Sequence, residues 1–390
     1  MRKGAERELT RDELARDQKF MARALRLGRR GVALASPNPM VGAVVVLGGR
    51  VVGEGFHTYA GVKHAEVLAL ERAGAKARGA TLYVNLEPCC HVGRTGPCSR
   101  AVIAAGVKRV VVGMRDPNPE VAGGGVRELR RAGIEVREGV MEREARELNE
   151  AFARWIVARR PMVTMKSALT LDAQIGNGSG STTFITSDAS REEVQRLRHA
   201  ADALVSGIGT VLTDDPMLTD RTGLPRRRPL LRVILDSELR VPVKSKLVES
   251  AGGDLLVMTA RSVESSRARK LRAKSVEVVR VSRGRDGGLD LRPVIAELGR
   301  RGILSVLLEG GSRLNGAALA AGIVDKVILF YAPKIFGTEA APWVIVPGAG
   351  RGRRVRGAAL KLPALSEVKV RRFGPDICVE GYLRDVYGNH

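Results

Sequence analysis

His64-Ala65-Glu66 and Glu87-Pro88-Cys89-Cys90-His91-Val92-Gly93-Arg94-Thr95-Gly96-Pro97-Cys98 are the stretches from which the fold of this chain is read. An imidazole and two thiols are the soft donors that zinc takes, three from the protein when a fourth position is left for water. Glu66, two residues past His64, sets a carboxylate beside such an ion. Cys90 and His91 compete for the ligand role, but adjacent residues of one loop rarely point at one metal. Cys98 begins the apolar run Cys98-Ser99-Arg100-Ala101-Val102-Ile103-Ala104-Ala105, which reads as a helix. A thiolate at that N-terminus is stabilised by the helix dipole and the exposed N–H groups. The ligand set is therefore read as His64, Cys89 and Cys98, with Cys90 and Cys378 as structural thiols.

Around this centre the chain alternates strands and helices. Thr10-Arg11-Asp12-Glu13 has capping-box spacing, and the helix it opens is predicted to stop between Gly28 and Gly31. Pro37 and Pro39 force an extended loop around Asn38, ahead of a strand at Ala43 to Leu47, a turn at Gly48-Gly49 and a returning strand from Val51. Held between prolines, Asn38 either offers its amide to a base edge or serves the turn alone. His64 opens a helix that puts ligand and carboxylate on its first turn. Strands are expected at Thr81 to Leu86, Lys108 to Gly113 and Ile134 to Val136, and one helix from Met141 to Val157. Such alternation implies an α/β fold.

Arg159-Arg160-Pro161 marks the boundary between two domains, 1–158 and 159–390, as 390 residues exceed one ordinary core. Beyond it, short apolar runs beginning at Pro161, Ala203, Leu231, Asp254, Val276 and Ile303 read as buried parallel strands with helices between. Asp325 to Pro333 and Ile377 to Leu383 read as late, antiparallel strands. After Glu309, Gly310-Gly311-Ser312-Arg313-Leu314-Asn315-Gly316 forms a glycine-rich turn into a helix from Ala317, suited to a pyrophosphate.

The net charge of +23 favours anionic partners, including phosphorylated metabolites and dinucleotides. The basic residues are dispersed, with short clusters at Arg226-Arg227-Arg228 and Arg351-Gly352-Arg353-Arg354. Aromatic content is only 4%, which leaves few platforms for stacked bases and argues against a nucleic-acid substrate. Met1-Arg2-Lys3-Gly4-Ala5-Glu6 lacks the apolar core of a signal peptide, and no apolar run is long enough to span a bilayer. With four cysteines, at least two of them metal ligands, the expected compartment is the reducing cytoplasm.

Zinc nucleobase deaminases carry H-x-E and then P-C-x-x-C, the Glu being a proton shuttle and not a ligand. Here eight residues separate Cys89 from Cys98. Together with Pro37-Asn38-Pro39-Met40-Val41-Gly42, Asp116-Pro117-Asn118-Pro119 and Gly123-Gly124-Gly125-Val126, that expanded loop resembles the bifunctional riboflavin-biosynthesis deaminase/reductase family. The resemblance covers nearly the whole chain. It implies a cytidine-deaminase-like α/β/α domain, followed by an α/β domain resembling dihydrofolate reductase. It also implies zinc-dependent deamination of a phosphoribosylated diamino-hydroxypyrimidine, with Glu66 moving the proton and Asn38, His57, His91 and Arg94 holding base and phosphate. One departure is Gly96, where the family usually has Pro.

The second half carries Lys166-Ser167-Ala168-Leu169-Thr170-Leu171-Asp172, Ile185-Thr186-Ser187, Gly209 to Pro216 and Leu218-Thr219-Asp220-Arg221, all in the family's order, with Asp220 at a variable position. By resemblance NADPH contacts Leu169, Phe184, Thr210, Asp214, Ser237 and the turn Gly311, Ser312, Arg313, Leu314, Asn315, Gly316 and Ala317. The substrate contacts Thr182, Arg198, Leu218, Arg221 and Glu309, the arginines facing its phosphate. Without the family order, Arg198 reads as a solvated helix face and Asp214-Asp215-Pro216 as a turn or cap. Two further departures are Ala173-Gln174, where the family has Gly and a cation, and Phe184, where it has Trp. Apolar edges on the late strands of such a domain commonly pair between subunits, so the expected assembly is a homo-oligomer, a dimer or larger. The competing readings are an RNA-directed deaminase with a basic nucleic-acid-binding surface, and a deaminase whose reductase-like half is not catalytic.

Overall fold

Thr10 caps α1 (Arg11–Arg29) through both halves of a capping box: its hydroxyl accepts from the Glu13 N–H, and the Glu13 carboxylate accepts from the Thr10 N–H. The helix ends at Arg29, within the stretch where glycine was expected to stop it. The computed structural model describes residues 10–119, 121–176, 185–284, 287–345 and 364–387. Contacts divide the chain into two units, Met1–Val157 and Ala158–His390.

In the first unit the elements following α1 are β1 (Gly42–Leu47), β2 (Arg50–Phe56), α2 (Ala65–Ala73), β3 (Thr81–Leu86), α3 (Cys98–Ala104), β4 (Arg109–Met114), α4 (Gly124–Arg131), β5 (Glu135–Arg137), α5 (Glu142–Leu148) and α6 (Glu150–Ala158). The sheet order is β2-β1-β3-β4-β5, antiparallel from β2 to β3 and parallel beyond. Helices α1 and α5 touch each other, while α2, α3 and α4 touch in series, so the sheet lies between two helical layers. Phe20, Met21, Ala24 and Leu25 form the buried stripe of α1, at the spacing an amphipathic helix requires. α2 lies so close on β2 that a Cβ on Gly53 would come within 2.1 Å of the Ala69 carbonyl.

The single helix predicted from Met141 to Val157 is two helices, α5 and α6, parted at Asn149. Asn149 leaves helical geometry at φ −116°, and its amide is committed to the Met40 backbone: Oδ1 accepts from the Met40 N–H at 2.7 Å and Nδ2 donates to the Met40 carbonyl at 3.1 Å. A tertiary bond therefore overrides the local helical pattern.

The second unit runs β6 (Met162–Thr170), β7 (Gln174–Gly176), α7 (Asp188–Ala200), β8 (Ala203–Gly207), α8 (Ile208–Asp214), β9 (Leu231–Leu235), α9 (Lys246–Glu249) and β10 (Leu255–Thr259). It continues with α10 (Ser266–Arg272), β11 (Val276–Arg280), α11 (Leu291–Arg300), β12 (Ser305–Leu308), α12 (Ser312–Ala320), β13 (Lys326–Ala332), β14 (Ala341–Pro342), β15 (Ser366–Phe373) and β16 (Asp376–Tyr382). Nine strands form one sheet in the order β11-β10-β9-β8-β12-β6-β13-β16-β15. The first seven are parallel, and their apolar runs are buried on both faces: Val233 and Leu235 enter one core cluster while Ile234 enters the other, and Val306 and Leu308 part from Leu307 in the same way. β13 departs from the antiparallel expectation, lying parallel to β6 and antiparallel only to β16.

The departure at Ala173 has a backbone consequence, because this residue sits at φ +58°. A Cβ is disfavoured in the left-handed region, where glycine is not. The turn is held regardless: the Asp172 carboxylate accepts from Thr170 Oγ1 and from the N–H groups of Phe336 and Gly337. The Ala173→Gly variant is expected to be more stable by up to about 1 kcal/mol, part of the relieved strain being offset by added freedom of the unfolded chain. A rise in Tm by calorimetry checks this.

Candidate active sites

His64 is the N-cap residue of α2 and makes no side-chain cap bond, so its imidazole is left for other partners. Cys89 follows the end of β3, and Cys98 is the first residue of α3. The donor atoms of His64, Cys89 and Cys98 all lie within 4.8 Å of one another. His64 Nδ1 is 3.2 Å from Cys98 Sγ and 3.6 Å from Cys89 Sγ. The Cys98 backbone N–H points at Cys89 Sγ at 3.4 Å. The helix N-terminus thus favours the Cys89 thiolate, where the sequence led us to expect Cys98. Cys89 is drawn down to about 4, first by its contact with the Cys98 thiol and further by His64, whereas Cys98 is pushed up by that same contact and by burial.

Glu66, on the first turn of α2, is 3% exposed, and burial raises its carboxyl to about 7. The charges that bear on Cys98 are those of Cys89 and Glu66, both anionic. Two sulfurs, an imidazole and an adjacent carboxylate with this charge balance fit a zinc ion. Cys90 is not part of the set. Its sulfur lies against the start of α4, where a Cβ on Gly124 would come within 2.6 Å of it.

Asn38 and His57 are joined at 2.9 Å between Nδ2 and Nε2. His57 Nδ1 is 3.0 Å from the Lys63 carbonyl, which can only accept, so Nδ1 carries the proton and Nε2 accepts from Asn38. Burial holds His57 below its ordinary pKa, in keeping with a neutral ring. The Asn38 amide is thereby oriented, with Oδ1 left to face another donor. The exposed Arg94 stacks on Tyr59, 4.6 Å from the ring centroid, and donates to the Tyr59 carbonyl at 3.2 Å. His91 is exposed in the same loop.

Several residues that build this site have no motif of their own. Glu87 is 3% exposed, and its carboxylate accepts from the N–H groups of Asp116, Gly123 and Val126 at 3.2, 2.9 and 3.1 Å. It ties the end of β3 to the loop entering α4. A Cβ on Gly125 would meet the Pro88 carbonyl at 1.9 Å, so this backbone passes directly beneath the cysteine loop. Asn85, buried in β3, accepts from the Gly42 N–H at 2.7 Å and donates to the Met40 carbonyl at 2.9 Å, which fixes the segment bearing Asn38. The available signal was a polar residue within the apolar run Thr81 to Leu86.

In the second unit Glu309 follows β12, and Arg198 on α7 grips it with both arms of its guanidinium, at 2.7 and 2.9 Å. Lys166 on β6 forms an ion pair with the same carboxylate at 3.7 Å. Arg198 also donates to the Thr219 carbonyl at 3.1 Å, so it is no solvated helix face. Burial opposes ionisation of Glu309, yet Lys166 and Arg198 overcome it and hold the carboxyl down to about 2. Lys166 was not singled out from the sequence.

The glycine-rich turn is shorter than predicted. Gly311 is the N-cap and α12 begins at Ser312, so Arg313, Leu314, Asn315, Gly316 and Ala317 are already helical. Asn315 is fully buried, donating to the Trp343 carbonyl at 3.1 Å. Among the other expected contacts, Leu169 is buried in β6, Thr210 and Asp214 lie on α8, and Ser237 follows β9. Leu218 is buried at φ +55°, and the Arg221 N–H donates to the Gln195 side chain. Thr182 and Phe184 lie outside the described residues.

A family model described as the RibD C-terminal domain matches residues 161–379, more than half of the chain. The chain belongs to the RibD family. A second model, the cytidine and deoxycytidylate deaminase zinc-binding region, matches residues 14–114, which contain the whole His-Cys-Cys set. The riboflavin biosynthesis protein RibD of Aquifex aeolicus is 45% identical over 82% of this chain and 88% of its own length, and that of Escherichia coli K12 is 40% identical over 93% and 98%. Among solved structures, the Thermotoga maritima diaminohydroxyphosphoribosylaminopyrimidine deaminase/5-amino-6-(5-phosphoribosylamino)uracil reductase is 37% identical, with TM-score 0.79 over 95% of this chain and 99% of that one. Acinetobacter baumannii RibD is 35% identical, with TM-score 0.78 over the same shares. RibD proteins combine a zinc-binding deaminase domain with an NADPH-dependent reductase domain, and the two units here follow that order.

Two outcomes follow from the buried carboxylates. Glu87→Ala orphans three N–H groups and is expected to cost about 3 kcal/mol, with reduced zinc content by metal analysis because Cys89 loses its anchored neighbour. Glu309 has a folded pKa of about 2, below the ordinary 4.5, so its ionised form stabilises the fold above pH 4.5 and loses that effect as the pH falls towards 2. The stability gap between wild type and Glu309→Gln, from urea unfolding, is therefore expected to shrink by about 3 kcal/mol as the pH is lowered over that range.

Proposed function

We propose that the first unit, with a boundary at residues 158/159, uses Glu66 as proton carrier for hydrolytic deamination of the phosphoribosylated diaminopyrimidine, and that the remaining chain reduces the ribosyl group. The bifunctional riboflavin-biosynthesis activity belongs to the family as a whole. What supports the first assignment is one observation: a buried carboxyl raised to about 7 stands beside three converging zinc donors. Zinc held by His64, Cys89 and Cys98 supplies Lewis acidity that makes water a nucleophile near neutral pH.

Burial raises the Glu66 carboxyl above the ordinary carboxylate range, which suits a group that both takes and returns a proton. It takes one proton as water adds to the ring carbon bearing the amine and gives it to the departing ammonia, while the remaining hydroxyl proton passes to the ring nitrogen, leaving a carbonyl. Asn38, its amide turned by His57, presents Oδ1 to a base N–H. His91 and Arg94 complete the substrate contacts, the guanidinium offering its fork to the phosphate.

In the second unit, NADPH supplies a hydride that converts the ribosyl chain to ribityl. The first turn of α12 offers the N–H groups of Ser312, Arg313 and Leu314 to its pyrophosphate, with Asn315 to Ala317 behind them in the helix, and Leu169, Phe184, Thr210, Asp214 and Ser237 contribute to its binding. Lys166, Arg198 and Glu309 make a rigid charged platform, and Thr182, Leu218 and Arg221 join it around the substrate. This platform is reason to assign the half a catalytic part and not only a stabilising one.

The RNA-directed alternative is not favoured. Arg226 is spent on the carbonyls of Arg198, His199 and Ala201 at the end of α7, and Arg228 on Gly302, while the second basic cluster lies outside the described residues. Among the described residues no helix is long and apolar enough to cross a membrane. All four cysteines are unbridged, in keeping with a cytoplasmic placement. The edge strand β15 exposes Val368 and Val370, in keeping with a homo-oligomer.

Glu66→Ala is expected to retain zinc by metal analysis and to lose ammonia release by at least about a hundredfold. Wild-type protein given the deaminated intermediate is expected to oxidise NADPH. Undiminished ammonia release would remove Glu66 from the mechanism, and absent NADPH oxidation would leave a reductase-like half without catalysis.

A further inference from the structure

The connection between α8 and β9 carries Leu218 and Arg221, and it is held more firmly than a surface loop needs. At its near end the Met217 carbonyl accepts from Arg232 Nη1 at 2.9 Å, and Arg232 is itself fully buried in β9. Leu218 then sits in the left-handed region at φ +55°, a conformation that a residue with a Cβ keeps only where its surroundings impose it. The Thr219 carbonyl accepts from Arg198 and the Arg221 N–H donates to Gln195, both partners standing on α7. At the far end Arg226 donates to the carbonyls of Arg198, His199 and Ala201, at the C-terminus of α7 where a helix leaves acceptors over. Arg228 closes the loop by donating to the Gly302 carbonyl at 2.7 Å.

Asp220 is the centre of this clamp. One of its carboxylate oxygens accepts from His199 Nδ1 at 2.8 Å and from Arg226 Nη1 at 3.0 Å, and the other accepts from the Thr222 N–H at 3.0 Å and the Thr222 hydroxyl at 2.8 Å. An ionised carboxylate only accepts, so the proton of the His199 ring lies on Nδ1. Both side chains are 7% exposed, which shields the pair from water and salt. Burial opposes ionisation of Asp220, and the bonds from Thr222, His199 and Arg226 outweigh it and hold the carboxyl down to about 2. His199 follows Arg198 in the chain and Asp220 precedes Arg221, so the bond joins the neighbours of two arginines. Arg198 is committed to Glu309, whereas the exposed Arg221 side chain has no protein partner among the described residues. The backbone around Arg221 is fixed on both sides while its guanidinium is left for a ligand.

We propose that the His199–Asp220 bond, braced by Arg226 and Thr222, sets Arg221 at a fixed offset from Arg198 and Glu309 and thereby determines how tightly the reductase half holds the phosphate of its substrate. The proposal rests on the reading of Arg221 as a substrate contact given above. His199 and Asp220 are positioning residues, since they act through Arg221 and not on the substrate. A loop ordered before the substrate arrives removes an ordering cost from binding, and a guanidinium fork held at the right angle meets phosphate oxygens in pairs. None of the clamp's bonds involves a residue assigned to NADPH, so cofactor binding is independent of it.

The test is steady-state NADPH oxidation by the full-length protein with the deaminated intermediate varied, for wild type, Asp220→Ala, His199→Ala, His199→Asn and Arg221→Ala, with NADPH affinity measured separately by calorimetry. Arg221→Ala is expected to raise KM for the intermediate by about tenfold or more, as the loss of a charged contact does. Asp220→Ala and His199→Ala are expected to raise it by a similar factor, with kcat within about twofold of wild type and NADPH affinity unchanged. His199→Asn, whose Nδ2 can donate where Nδ1 does, is expected to recover most of the loss. Asp220→Ala combined with Arg221→Ala is expected to be no worse than Arg221→Ala alone, because both act on one contact. A wild-type KM in Asp220→Ala and His199→Ala, with KM raised in Arg221→Ala, overturns the proposal and leaves Arg221 as a substrate residue. A loss shared by kcat, KM and NADPH affinity also overturns it, since the clamp would then serve only the fold, and so does a double variant whose losses add. If Asp220→Ala does not fold, the comparison of His199→Ala with His199→Asn decides. Arg221→Ala with an unchanged KM overturns the substrate reading and the proposal together.

Discussion

The first unit depends on a problem of delivery: three soft donors must reach one point from two helix starts and a strand end. α2 can present His64 only because its neighbour β2 carries glycines where the helix backbone presses down, at Gly53 above all. β3 can present Cys89 only because the chain beyond it is pinned by Glu87, whose carboxylate gathers three N–H groups out of reach of water. A buried carboxylate without such donors would be expensive, and with them it becomes a fixed point of the loop. Metal donors held on rigid element ends keep their spacing better than donors carried on a free loop.

In the second unit seven parallel strands are buried on both faces, which leaves their carboxyl ends as the place where backbone and charge become accessible. The charged groups of this unit follow that geometry. Arg198, Lys166 and Glu309 gather near the middle of the sheet, and Glu238, Arg261 and Arg283 near one end. The first group is mostly enclosed, with two cations on one carboxylate, and the second is open. Burial separates a rigid platform from a solvated surface.

Much of the local structure was legible because its cause is local. The capping box at Thr10, the hairpin at Gly48-Gly49, the helix opened by His64 and the one begun by Cys98 each rest on a few neighbouring residues. The failures were equally physical. The helix expected from Met141 to Val157 breaks because Asn149 bonds Met40, more than a hundred residues away. Arg198, assigned a site role only through the family order, has by spacing alone no sign of Glu309, the partner that β12 brings to it. The glycine-rich segment after Glu309 reads as a long turn, yet its tertiary setting lets the helix begin at Ser312.

From the chain alone came the donor residues, the carboxylate beside them, the two-part organisation and the family to which those motifs point, all properties of residue type and spacing. Which sulfur the α3 N-terminus favours, which way the Asn38 amide faces, and which charges neutralise one another were decided only on folding. Each of those depends on partners supplied by a different strand or helix. A one-dimensional pattern names the groups available for a bond, but the order of strands in the sheet chooses among them.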